Sequence, residues 1–156
     1  MKPLLVLLAA ALSGLAVTAV GSAADSGGAD AASGDAAART LTVRSTRYGR
    51  ILFDGRNRVL YAFTRDRRGA PSRCYGACAG AWPVYYSKGT VVRAGAGVKK
   101  GLIGTTRRRD GRRQYTYNGW PLYYYAHEGP GEVRCQNVDE FGGLWLVVRP
   151  SGALVR

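Results

Sequence analysis

Apolar and polar positions alternate in short runs along most of the chain. Val59, Tyr61 and Phe63 recur at every second residue, as do Tyr115 and Tyr117, and Tyr123 and Tyr125. A period of two puts such residues on one face of a strand. Aromatic and β-branched side chains suit that pleated surface. Asp54-Gly55, Asp110-Gly111 and Asn118-Gly119 punctuate the runs, and such pairs favour hairpin turns. The pattern predicts a hairpin of Arg113–Tyr117 and Pro121–Tyr125. No stripe of period 3.6 appears after residue 38, so the one predicted helix is a short turn near Gly76–Ala81, before Trp82-Pro83.

The beginning of the chain has a different texture. Lys2 precedes an apolar stretch, Leu4–Val20, which is followed by Gly21, Ser22, Ala23 and Ala24. This is the order of a secretory leader, predicted over residues 1–24 with a small-residue cleavage site. The first cysteine is Cys74, so no lipid anchor through an N-terminal Cys is expected. Residues 25–40 follow as a predicted disordered tether; Asp25–Ala38 holds only Asp, Ser, Gly and Ala and cannot offset its ordering entropy. Residues 41–156 remain for the predicted folded part, one domain's worth of chain.

That part is duplicated. Displacing the sequence by 62 residues superposes Arg47, Gly49 and Arg50 on Arg109, Gly111 and Arg112, and Leu60-Tyr61 on Leu122-Tyr123. Phe63 falls on Tyr125 and Asp66 on Glu128; after a drift of one residue Arg73-Cys74 matches Arg134-Cys135, and Trp82 matches Trp145. The repeats are about 41–84 and 103–147. The predicted fold is all-β: two antiparallel meanders packed as one domain, sandwich or barrel-like, each burying a face that could not stand alone.

Tyr61-Ala62-Phe63-Thr64-Arg65-Asp66 fits the pattern Y-x-[FWY]-x-x-D, and Tyr123–Glu128 fits it with Glu for Asp. Cys74-Tyr75-Gly76-Ala77-Cys78, Ala81-Trp82-Pro83 and Phe141-Gly142-Gly143-Leu144-Trp145 follow in order. With these motifs the chain resembles a bacterial family of secreted repeats of unknown function, also described as predicted lipoproteins with a Yx(FWY)xxD motif. The resemblance covers nearly all of residues 41–156. It implies an extracytoplasmic location, at the cell surface or in the periplasm, and a twofold β repeat; the family has no settled activity. The chain departs from it in lacking the lipidation Cys and in carrying Glu128.

The motif residues Tyr61, Phe63, Asp66, Tyr123, Tyr125 and Glu128 have a structural reading. The aromatics share a strand face, and the acid lies just past the strand, where a carboxylate accepts backbone N–H groups. A catalytic pair of Asp66 with Glu128 is the rival, but any duplication yields two equivalent acids, so no catalytic residue is assigned. Of Cys74, Cys78 and Cys135, two are expected to pair outside the cytoplasm. Cys74–Cys78 is favoured if the loop at Gly76 tightens, with Cys78–Cys135 as the alternative. Cys74, Cys78, His127 and Cys135 can also be written as a Cys3His set, suited to a soft metal such as Cu(I). The spacing C-x3-C is unusual for zinc, and no metal or other cofactor is expected.

Charge narrows the partner. The chain has 23 Lys and Arg against 10 Asp and Glu. Residues 1–38 hold one Lys and three Asp, so residues 39–156 carry 22 basic and 7 acidic groups. Arg107, Arg108, Arg109, Arg112 and Arg113 surround the Asp110-Gly111 turn; Arg65, Arg67 and Arg68 form a second cluster, Arg47 and Arg50 a third. Outside a cell such a surface meets anionic wall or extracellular polymers rather than intracellular nucleic acid. The expected function is a secreted, non-enzymatic envelope or extracellular binding module for an anionic polymer, monomeric by default. The alternative is a thiol-redox or copper-type metal-handling protein.

Overall fold

β1 (Thr40–Thr46) and β2 (Gly49–Asp54) form an antiparallel hairpin, with Leu41 opposite Asp54 and Thr46 opposite Gly49. These and the following elements belong to a computed structural model that describes residues 34, 36–37, 39–87 and 92–156. The expected leader, residues 1–24, and most of the expected tether, residues 25–40, lie outside the described residues. The tether's last residues touch the folded body. The carbonyl oxygens of Gly34 and Ala37 accept from Arg56 Nε at 2.7 Å and from the Gly55 N–H at 3.0 Å, and β1 begins at Thr40.

β3 (Tyr61–Phe63), the short helix α1 (Ala77–Ala81), β4 (Tyr86–Ser87) and β5 (Arg93–Ala94) follow. After a 3-10 turn at Lys100–Leu102 come β6 (Ile103–Arg107), β7 (Arg113–Tyr117), β8 (Trp120–Pro121), β9 (Val138–Glu140) and β10 (Gly143–Val147). Among the described residues the strands make three small sheets, ordered β2-β1-β5, β3-β10-β9 and β4-β7-β6, with β8 also on β7. All pairings are antiparallel except β1 with β5. The expected all-β fold with one helical turn is present, and the sheets do not close into a barrel.

The repeat is visible in the elements. β1 and β2 correspond to β6 and β7, and residues 59–63 to 121–125, each pair 62 residues apart. The repeats then diverge: the first has α1 before Trp82, the second the β9–β10 hairpin around Trp145. The predicted Asn118-Gly119 turn joins β7 to β8, but β8 ends at Pro121, and Tyr123 bridges instead to Tyr61 and Val84.

Two cores lie on either side of the central strands. Ile51, Phe53, Val59, Tyr61 and Phe63 face one, with Trp82, Tyr123 and Trp145. Leu52, Leu60 and Ala62 face the other, with Tyr85, Tyr115, Tyr117 and Leu122. Burial on both faces explains why Ile51-Leu52-Phe53 and Leu60–Phe63 are continuous apolar runs rather than strict alternations. The paired tyrosines keep their predicted common faces, but Tyr115 and Tyr117 enter one core and Tyr123 the other.

Candidate functional site

The repeats meet at Tyr61 and Tyr123. Each donates its backbone N–H to the other's carbonyl at 2.9 Å, an isolated antiparallel bridge between equivalent residues. On its other side Tyr61 pairs with Val147, and Tyr123 with Val84. Each motif strand is therefore flanked by chain from the other repeat.

Side chains follow the same exchange. The Tyr61 hydroxyl donates to Glu128 Oε1 at 2.8 Å, and the Tyr123 hydroxyl to Asp66 Oδ2 at 2.6 Å. Each motif tyrosine thus serves the acid of the opposite motif. The aromatic positions are exchanged too: Phe63 stacks on Trp145 at 4.2 Å and 7°, and Tyr125 lies 4.9 Å from Trp82. Trp82 and Trp145 stack on each other at 3.8 Å and 2°. The Trp82 indole N–H donates to Glu140 Oε2 at 2.8 Å.

The acids hold loops in place. Asp66 Oδ1 accepts the Arg73 N–H at 2.7 Å; Glu128 Oε1 accepts the N–H groups of Arg134 and Cys135, the latter at 3.1 Å. Asp66 lies seven residues before Arg73, whereas Glu128 lies six before Arg134. The side chain with the extra methylene spans the loop that is one residue shorter. Burial pushes the Asp66 carboxyl above its ordinary range, although Tyr123, Arg73 and Arg108 act against the shift. Burial and the neighbouring carboxylates push both tyrosine hydroxyls up, so they remain protonated donors. Three of the four motif carboxylate oxygens serve loops and tyrosines; Glu128 Oε2 has no hydrogen-bond partner among the described residues.

Cys74 and Cys78 form the disulfide, with Cα atoms 5.3 Å apart. Gly76, at φ 57°, turns the chain so that Cys74 stays outside α1 while Cys78 lies inside it. This is the loop adjustment the spacing required. The alternative Cys78–Cys135 bond is not formed: Cys135 is a buried free thiol. Burial, with Glu128 and Glu140 nearby, pushes that thiol up to about 11. The Cys3His set is not assembled, since two of its sulfurs bond each other. Among the described residues no three His, Cys, Asp or Glu side chains come together in a metal-holding group.

The five arginines of the 107–113 turn separate. Arg108 is buried (3% exposed), and its guanidinium bonds Gln114 Oε1 at 2.8 Å and the Cys74 carbonyl at 2.7 Å. It is an internal strut, and it also stacks on Tyr75. Arg112 pairs with Asp110 at 2.7 Å and lies over Tyr86. Arg113 donates to Thr105 Oγ1, Arg109 stacks on Tyr75 at 3.9 Å, and Arg107 is exposed. His127 is exposed beside Tyr125, with ring centroids 5.4 Å apart.

Sequence reasoning missed several participants. Asp54 is buried, accepts the N–H groups of Arg56 and Arg58, and takes the Tyr124 hydroxyl at 2.9 Å. Its signal was the Asp54-Gly55 turn pair. Ser72 Oγ lies 2.6 Å from the Tyr123 hydroxyl and carried no signal beyond its residue type. Tyr75, between two arginines, was visible only as a variable position between the cysteines.

Fold and site together define an intertwined, twice-repeated β module whose motif acids are internal. A family model described as secreted repeat of unknown function matches residues 42–85 and 104–149, so the chain belongs to that family of secreted repeats. No curated protein and no solved structure matches the chain. Among the described residues no helix is long and apolar enough to cross a membrane.

Proposed function

We propose that this secreted repeat protein is a non-enzymatic binding module for an anionic extracellular or cell-wall polymer, released after cleavage of the leader over residues 1–24. The observation that carries this reading is the sorting of charge between interior and surface. Three of the seven acids in residues 39–156 are buried: Asp54, Asp66 and Glu128. Of the other four, Asp110 and Glu132 are ion-paired with Arg112 and Arg134. Among the arginines of the 107–113 turn only Arg108 is withdrawn. The surface is therefore more positive than composition alone implies, and guanidinium groups favour carboxylate and phosphate partners. The engagement of the motif acids with tyrosines and loop N–H groups supports a structural role for them.

The test is retention of the secreted protein on an immobilised acidic polysaccharide against a salt gradient. Strong retention at about 10 mM salt, lost steeply by a few hundred millimolar, is expected for screened surface charge. Passage through the column at low salt overturns the reading.

A further inference from the structure

We propose that the cleft beside the Cys74–Cys78 disulfide is a subsite for one acidic sugar residue. Its carboxylate is held by Arg65 and Arg73 and its ring lies against the half-buried Phe141. The inference rests on the polyanion-binding reading and names the ligand class of its site.

The cleft has a volume of about 460 Å3. Half-buried Phe141 supplies apolar surface above the buried Phe63, Ala77 and Gly142 are small, and Arg65 and Arg73 supply cations. Among the described residues no carboxylate lines it. Two other clefts among the described residues differ: one contains the Glu132–Arg134 ion pair, and in the other Arg68 is bonded to the carbonyl and side chain of Asn118. Tyr75, which also lines the site, carries the guanidinium groups of Arg108 and Arg109 at 4.3 Å and 3.9 Å from its ring centre. Through Tyr75 the exposed Arg109 lies beside the cleft, while Arg108 is buried behind it.

The cations are positioned by the framework. Arg65 Nη1 donates to the Phe141 carbonyl at 2.9 Å, leaving its other nitrogens available to a ligand. Phe141 itself sits at φ 57°, followed by Gly142 at 77°. A bulky residue in the left-handed region is rare and costs energy, and such strain concentrates at binding sites. A side chain at position 142 would grow over Arg65, whose Cδ and Nη1 lie 3.8 Å from the place a Cβ would take. Arg73 is fixed through its backbone N–H by Asp66, so the motif acid sets one edge of the cleft. Asp66 is buried behind that edge and attracts Arg73 and Arg108, so a ligand carboxylate shares Arg73 with it.

The ligand class follows from pairing guanidinium groups with the half-buried ring of Phe141. Guanidinium binds a carboxylate in a planar, two-pronged fashion. An aromatic face suits the C–H face of a pyranose, which a glycerol phosphate chain lacks. The polymer that fits is therefore an acidic polysaccharide.

The experiment is calorimetric titration of the secreted protein with an oligouronate, a neutral oligosaccharide of equal length and an oligo(glycerol phosphate). Arg65→Gln and Arg73→Gln are compared with Arg44→Gln, an exposed β1 control, after thermal melts establish folding. Each cleft variant is expected to weaken oligouronate binding about tenfold, the scale of one charge-assisted hydrogen bond. The control keeps its affinity, and the neutral sugar does not bind. Unchanged affinity in both cleft variants, equal binding of the neutral sugar, or tighter binding of the glycerol phosphate overturns the subsite. A wild-type protein that binds the acidic column but shows one of these results loses only the subsite. One that no polyanion retains loses the underlying reading as well.

Discussion

The Tyr61 hydroxyl donates to Glu128 at 2.8 Å, although the acid of its own motif is Asp66, five residues downstream. The reciprocal bond from Tyr123 to Asp66 makes the motif a statement about two chain segments rather than one. Energetic coupling should therefore run between repeats. Tyr61→Phe and Glu128→Gln, each costing about 1–3 kcal/mol for a buried group left unpaired, are expected to couple by about 1 kcal/mol. Tyr61→Phe with Asp66→Asn should be closer to additive. Double-mutant cycles in urea check this, and coupling within one motif but not across would contradict the pairing.

Asp66 gives the fold a defined pH response. Its folded pKa is raised by burial, so the native state holds the proton more tightly than the unfolded chain. Stability from this group is present below the unfolded value near 3.8 and declines as pH rises through the raised folded value. Asp66→Asn removes that ionisation. The stability gap between wild type and variant should be largest near pH 4 and shrink toward neutrality, as measured by denaturant unfolding across that range. A gap that widens with pH would reverse the assigned direction.

Cys135 should be a quiet thiol. Burial and two nearby carboxylates push it up to about 11, so little thiolate exists at neutral pH. Because the thiolate is the reacting form, native alkylation is expected to be at least about tenfold slower than for an ordinary exposed cysteine. One equivalent should react on unfolding without reductant, since Cys74 and Cys78 are joined. Rapid native labelling would contradict the burial.

Gly143 should tolerate no side chain. A Cβ there would lie 2.9 Å from Phe63 Cε2 and 3.2 Å from the Arg65 backbone nitrogen. The backbone cannot yield as a flexible side chain could, and Phe63 is stacked on Trp145. Gly143→Ala is expected to cost about 1–3 kcal/mol by overpacking, seen as a lower midpoint in thermal or urea unfolding. An unchanged midpoint would show that the β3–β10 contact can open freely.

The duplication, the strand character of its aromatic runs and the short helical turn were legible because each depends on local spacing. Val59, Tyr61 and Phe63 announce a common face through their period alone, and Asn118-Gly119 announces its turn through residue type. The favoured disulfide was legible as far as Gly76 could supply the required bend. The double burial of β2 was less evident, because an apolar run does not say how many cores surround it. Arg108 carried no mark distinguishing it from its four basic neighbours; only Gln114, Tyr75 and the Cys74 carbonyl, brought together by folding, take it inside.

By itself the sequence determined that this protein is a twice-repeated, basic β chain with a Y-x-aromatic-x-x-acid motif in each half. Tertiary structure decided which tyrosine meets which acid, which tryptophan covers which aromatic residue, and which arginines stay at the surface. The reason is physical. A two-residue period fixes the face a side chain takes, whereas the chain crossing that face is chosen by pairing between strands far apart in sequence. Here that pairing places Tyr61 beside Tyr123 and exchanges the partners of the two repeats.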